Sequence, residues 1–231
     1  SITIDGYTLT DYNDRGHGHL DLIESLVVSC NTNFARMAVD LGGEKVKEIS
    51  KKFFMDRPIN SDIPIKTSRF PYSGSMGKTD IAAIGIGQGK VLVTPIHMAL
   101  VAGTFANNGV MMEPYVVSTV QTPTGKVLQR NSGKENIILP TNIANGVKDM
   151  MVATVQRGTG KGAALGGITV GGKTGTAENA TGKSHAWFIG FAENGSNKVA
   201  VAVILESSGE TGGAAAAPIA GRIMQAALRR Q

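Results

Sequence analysis

The sequence predicts an α/β protein of the α+β type, in which a helical lobe is followed by an antiparallel sheet closed by a last helix. Three observations predict it. Apolar residues recur at helical spacing through the first two-fifths of the chain, and three runs in the last third read as strands joined by short polar turns. A segment from Pro218 to Arg230 then reads as a terminal helix.

In chain order, Leu20, Ile23 and Val27, with Leu22 and Leu26 beside them, mark the first helix. It ends at Ser29-Cys30-Asn31-Thr32-Asn33, whose side chains compete for backbone hydrogen bonds and favour a turn or a new cap. A second helix fits Phe34 to Leu41, closed by Gly42-Gly43, and a third fits Glu44 to Met55. Proline, serine and glycine make the stretch from Arg57 to Met76 irregular. Thr94-Pro95 opens another helix, a threonine cap before a proline whose missing N–H costs nothing at the first position. Asn107-Asn108-Gly109 closes it.

Tyr115 to Gln121 and Lys126 to Arg130 form a hairpin about Thr122-Pro123-Thr124-Gly125. A helix follows with Ile143, Val147, Met150 or Met151, and Val155 on one stripe. The strands are Ile168 to Thr176, Ala186 to Phe191 and Val199 to Leu205. In the third, Ala200 and Ala202 make a face of small residues that lets a helix approach closely, and Pro218 to Arg230 is the expected occupant. The domain reading is one unit over 1–231, mainly helical over 1–165 with a hairpin near 115–130, and three strands plus a helix over 166–231.

Composition narrows the function classes. The 231 residues suffice for one substantial domain, and 42% hydrophobic with 18% charged residues describes a globular chain. The longest apolar run, Val199 to Leu205, is far short of the roughly 20 residues a bilayer span needs. The opening Ser-Ile-Thr-Ile-Asp-Gly shows no signal peptide, so any export signal or anchor is expected outside this sequence. A net charge of +5 permits an anionic partner, but the basic residues are scattered, so no nucleic-acid patch is expected. Cys30 is the single cysteine, which excludes an internal disulfide; it is expected to pack as a small hydrophobe. His17 and His19 have no carboxylate or cysteine at ligand spacing, so neither a metal nor a cofactor is expected.

Two tripeptides remain: Ser29-Cys30-Asn31 and Lys173-Thr174-Gly175. An S-x-N occurs by chance about once in every two or three chains of this length, and a K-T-G on the order of 0.1 times. Their context raises both. Ser29 sits at a turn between helices, where a hydroxyl and an amide can point into a cleft. Lys173 sits on a strand behind Gly171-Gly172, which leave room for close backbone approach.

The series S-x-N with Thr-Asn-Phe-Ala, then Gly87-Gln88-Gly89 running to Val93-Thr94-Pro95, then Gly172 to Glu178, then Ala186 to Phe191 is ordered and specific. From about Leu20 to Leu228 the chain resembles the transpeptidase domain of class B penicillin-binding proteins, of the penicillin-binding and serine β-lactamase superfamily. The resemblance implies acyl transfer through a serine ester in a peptidoglycan D,D-transpeptidase that β-lactams acylate. It assigns catalytic roles to Ser29, Asn31 and Lys173, and substrate binding to Thr174, Gly175 and Thr176. Ser29 would relay a proton to the leaving amine, Asn31 would bond the stem amide, and Lys173 would supply positive charge. Thr174 and Thr176 would hold the substrate carboxylate, and the Thr176 N–H would be half of an oxyanion hole.

The resemblance further implies partners: the peptidoglycan stem peptide, β-lactam antibiotics, and a glycan-strand polymerase. It implies work at the extracytoplasmic face of the membrane, held by an anchor not in this sequence. One element departs. The family's S-x-x-K belongs upstream of S-x-N, and none lies ahead of Ser29; the one S-x-x-K, Ser75 to Lys78, follows it and sits among glycines. The expectation is a chain that lacks the nucleophile, its helix and the first strands, leaving a strand edge and an apolar groove open, and that is inactive alone.

Three rival readings stand beside this. A non-catalytic homologue would bind stems without reacting. A serine β-lactamase needs a deacylating glutamate, and none is suggestively placed. Gly167 to Thr174 also fits the phosphate-loop pattern, which requires a helix immediately after it, where the sequence reads as strand.

Overall fold

The computed structural model describes residues 1–14 and 16–229. Strands β1 (Ile2–Ile4) and β2 (Tyr7–Leu9) form a hairpin about Asp5-Gly6, both residues at positive φ. Helix α1 (Leu22–Val27) is capped by the Asp21 carboxylate, which accepts from the Glu24 N–H. Two helices follow, α2 (Asn31–Leu41) and α3 (Gly43–Lys52), and then the irregular stretch read from proline, serine and glycine. Helix α4 (Lys78–Gly85) packs on α2, where Gly85 lies against the Ala38 methyl and the Phe34 carbonyl. Helix α5 (Pro95–Ala106) starts at the Thr94 cap as its sequence requires.

Beyond α5 the chain makes two small antiparallel pairs. Strand β3 (Val110–Met112) joins β6 (Glu135–Ile137), and between them β4 (Thr119–Gln121) pairs with β5 (Val127–Arg130) about a turn with Gly125 at positive φ. Helix α6 (Thr141–Arg157) then leads into the main sheet of β7 (Thr169–Ala177), β8 (His185–Asn194) and β9 (Asn197–Leu205), antiparallel in that order. Helix α7 (Ala217–Leu228) ends the fold, entered through one wide π-helical turn over Gly212–Ala216. Among the described residues no helix is long and apolar enough to cross a membrane.

The sheet separates two cores. On one face Phe188, Val201 and Val203 pack with Ala217, Ala220 and Met224 of α7. On the other, Phe191 and Ile189 meet Ala102 and Ala106 of α5 and Met151 of α6. This corrects the expected place of the last helix. The alanine face of β9 receives α5, where Gly103 lies against Ala200, while α7 covers the valine face. The close approach there comes from α7's own small residues Ala217 and Ala220, while Gly221 lies against the backbone of Ala163.

The stripe on α6 holds except at its first position. Ile143 is exposed, while Val147 packs against the core and Met151 and Val155 are buried together with Ala144, Ala153 and Thr154. Gly171 and Gly172 leave room for side chains as well as for backbone. Each lies under a phenyl ring, Phe191 over the first and Phe188 over the second, and Gly172 also lies against the Ile189 carbonyl.

Candidate active site

Ser29 owes its position to the way α1 stops. The Cys30 N–H bonds the Ser25 carbonyl at 2.9 Å and the Ser29 N–H bonds that of Leu26 at 3.2 Å. These two bonds make a Schellman ending, whose left-handed residue is ordinarily glycine. Here Ser29 takes that conformation at φ 59°. A side chain in this region costs roughly 1–2 kcal/mol, and such strain collects at functional sites.

Asn31 is the first residue of α2, and its presentation depends on a cap from far away. Cys30, the N-cap residue, makes no side-chain cap bond. The Asp11 carboxylate does it instead, accepting from the Thr32 N–H at 3.1 Å and from the Thr32 hydroxyl at 2.9 Å. Burial pushes the Asp11 pKa up, but the Thr32 bonds, the nearby His17 and the Asn31 N–H together hold it below the usual carboxylate value. The two helices are stitched by Asn33, which donates to the Ser25 hydroxyl, which donates in turn to the Asp21 carbonyl at 2.6 Å.

The sheet supplies the cation. Lys173, mid-strand in β7, sends its ammonium across to the Ser29 hydroxyl at 2.7 Å and to the Thr174 carbonyl at 2.9 Å. Burial pushes its pKa down to about 8. Among the described residues no carboxylate pairs with it, so the pocket holds an unneutralised positive charge. An arriving anion would find both a charge and a donor there.

The free edge of β7 is organised about this lysine. In an antiparallel strand a residue's N–H and C=O point to the same side. The Thr174 carbonyl meets Lys173 and the Thr176 carbonyl accepts from the Gln88 amide at 3.0 Å, so both residues turn their backbone groups away from β8. The Thr176 N–H therefore faces the side that Ser29 and Lys173 occupy. Thr174 also pairs hydroxyl to hydroxyl with Thr159 at 2.7 Å, and the Thr159 N–H bonds the last turn of α1 at Val27. Gly175 is matched by Gly212, which passes so close to it that no side chain fits between.

Ser29, Lys173, Thr174 and Thr176 thus converge, with Asn31 one helical position beyond Cys30. Ser75 does not join them. It lies exposed in a turn before α4, and Lys78 begins that helix, so the pair is not one turn apart on a helix. The phosphate-loop pattern fails on its own criterion, because Gly167 to Thr174 runs into a strand that continues to Ala177. Trp187, read as core, is half-buried opposite Gly175.

The cysteine is buried as expected, in polar company, and the expectation about the histidines needs correction. Cys30 is buried, but beside a carboxylate, its sulfur 3.7 Å from Asp11 Oδ2 and 3.2 Å from the Thr32 hydroxyl. His17 does have ligand-type neighbours: one donor atom each from Asp11, His17 and Cys30 lie within 4.8 Å of one another, and these are the residues that could hold a metal ion. Local spacing hid the trio, since Asp11 follows β2 and Cys30 lies past α1. Nothing in the sequence marks Asp11 or Thr159 as a site residue, and Gln88 is marked only by its place between Gly87 and Gly89, without a role.

Comparison with known proteins is extensive. The family described as the penicillin binding protein transpeptidase domain matches residues 2–225. The peptidoglycan D,D-transpeptidase PbpA of Mycolicibacterium smegmatis is 37% identical over 222 residues, covering 91% of this chain and 44% of that protein. The D,D-transpeptidase domain of a peptidoglycan glycosyltransferase from Eggerthella lenta superposes at TM-score 0.91 and 28% identity, over 100% of this chain and 58% of that one. Penicillin-binding protein A of M. tuberculosis, solved as its penicillin G acyl-enzyme, superposes at TM-score 0.88 and 30% identity, over 98% of this chain and 54% of that one. The chain spans about half the length of the relatives it matches.

Proposed function

The chain belongs to the penicillin-binding protein transpeptidase family, and from that premise we propose that it forms part of a peptidoglycan D,D-transpeptidase working through a serine acyl-enzyme. The 2.7 Å bond from Lys173 to the Ser29 hydroxyl carries the reading, because it joins the two family motifs into one proton-conducting unit. The acylated serine is placed outside these 231 residues, on a segment that brings its own S-x-x-K to the crevice.

The chemistry then runs as follows. The serine oxygen attacks the carbonyl of the penultimate D-alanine of a stem peptide, and the Thr176 N–H receives charge on the developing oxyanion. The serine's proton is taken by the lysine of its S-x-x-K, and Ser29 relays it to the departing D-alanine nitrogen as the C–N bond breaks. An amine of a second stem gives up its proton by the same route and displaces the serine ester, forming the cross-link. With a pKa of about 8, Lys173 is neutral in about a tenth of molecules at neutral pH, so it can exchange a proton with Ser29 in either direction. Asn31 bonds the stem backbone, while Lys173, Thr174 and Thr176 hold the terminal carboxylate. A β-lactam occupies the same place and its ring amide opens in the first step, as the penicillin G complex of the mycobacterial relative records for that protein.

The site of action is the extracytoplasmic face of the membrane, beside a glycan-strand polymerase. In the complete protein, Lys173→Ala should cut labelling by a fluorescent penicillin by two orders of magnitude or more, as for loss of one essential polar group, while Ser75→Ala leaves it unchanged. The 231-residue chain alone should not label. Equal loss in both variants would place the reaction elsewhere; a complete protein that binds stems without labelling would be a non-catalytic receptor.

A further inference from the structure

Helix α4 ends as α1 does. The Gln88 N–H bonds the Ala83 carbonyl at 2.9 Å and the Gly87 N–H bonds that of Ile84 at 2.9 Å, with Gly87 left-handed at φ 72°. Gly89 is left-handed as well, at φ 77°, so Gln88 is held between two positions that side chains rarely tolerate. Its direction is fixed further upstream, by the contact of Gly85 with Ala38 that seats α4 on α2. From there the half-buried side chain reaches β7 and donates to the Thr176 carbonyl at 3.0 Å.

An edge strand without a partner can shift and twist. Two of the outward carbonyls of β7 are nevertheless occupied, that of Thr174 by Lys173 and that of Thr176 by Gln88. A carbonyl can be tied down without using up the N–H beside it, so the tether fixes Thr176 and leaves its donor free. We propose that Gln88 is a positioning residue for the oxyanion hole: from the helical lobe, it anchors the Thr176 carbonyl and so fixes the backbone angles at Thr176 that aim the N–H of the same residue. This rests on the acyl-transfer reading above. An aligned oxyanion donor contributes about 10²–10³-fold to rate, and misaligning it forfeits part of that.

The test uses the complete protein with Gln88→Met, which keeps the length and removes the donor, and Gln88→Ala. Rapid kinetics with a fluorescent penicillin separates the initial dissociation constant from the acylation step. Acylation should slow by about 10–100-fold in both variants. Dissociation constant, melting temperature and the pH midpoint of acylation should stay as in the wild type, which a merely structural role would not spare. Unchanged acylation overturns the proposal, and so does a melting temperature that falls together with a weakened dissociation constant. If the wild type itself is not acylated, the acyl-transfer reading fails instead. The tether is then judged by amide exchange over Gly175–Ala177, which must quicken in Gln88→Met; equal exchange overturns it too.

Discussion

A buried lysine ammonium with no counterion among the described residues makes the folded state pay, and the amount can be read as a function of pH. The Lys173 pKa is about 8 in the folded protein against 10.5 for the free side chain. The difference, 10.5 − 8, converts to on the order of 3 kcal/mol at 1.36 kcal/mol per unit. The sign follows from proton counts. Between pH 8 and 10.5 the unfolded chain holds a proton that the folded protein has released, so stability rises with pH across that window. Below pH 8 both states are protonated and the full cost is present.

Replacing Lys173 by Met removes this titration while keeping the side-chain length. At pH 7 the variant should therefore be the more stable, by up to about 3 kcal/mol less the two hydrogen bonds it gives up. As pH climbs to 10.5 that advantage should disappear. For a chain of this size the gap in melting temperature should close by roughly 6–12 °C. Calorimetry on both proteins at matched ionic strength measures it, and subtraction removes the tyrosines and other lysines that titrate in common. A gap that stays constant from pH 7 to 10.5 would mean that Lys173 is well solvated, and the account of its acidity would fall.

Backbone strain at Ser29 is open to a paired comparison. Ser29→Gly and Ser29→Ala both lose the hydroxyl and should both lose acylation, but glycine relieves φ 59°. Allowing for its greater freedom in the unfolded chain, the glycine variant should be the more stable by about 0.5–1 kcal/mol in urea titrations; alanine equal or better would refute the strain. Gly212→Ala should destabilise by roughly 2–4 kcal/mol, because its methyl is driven into the Trp187 and Gly175 carbonyls. A melting temperature within a degree of wild type would show that the turn moves aside freely. Asp11→Ala should cost about 1–2 kcal/mol through loss of the α2 cap, and the Thr32 amide should exchange faster; an unaltered exchange rate would assign the cap elsewhere.

The parts of the fold that were legible are those whose cause is local. Thr94-Pro95 and Gly125 announce their helix start and turn because cap and turn chemistry acts within four residues. The three sheet strands were readable because β-branched and aromatic residues cluster between turn formers. The short pair of β3 and β6 was not, as its strands are separated by a whole hairpin and carry three residues each. The side of the sheet that α7 covers was misjudged because small residues occur on both partners, and a strand's alternation cannot say which helix comes to which face.

The site divides in the same way. Ser29 and Lys173 could be singled out because their tripeptides have a fixed spelling, and their meeting is a property of the fold. Asp11 carries no such spelling. A capping carboxylate is ordinarily adjacent to its helix; here the chain detours through α1 before the helix begins, so only the coordinates connect Asp11 with Thr32. Thr159 and Gly212 were illegible for a related reason, since their significance is a single close approach to β7.

Both Ser29 and Gln88 stand just past the point where a helix stops, and this makes the crevice sensitive to length more than to composition. A helix turns by about 100° for each residue. Inserting or deleting one residue within α1 or α4 would rotate the departing chain by that angle, carrying the hydroxyl away from Lys173 or the amide away from Thr176, even if every side chain in the crevice kept its identity. Lineages that drift freely in sequence along these two helices should still hold their residue count constant.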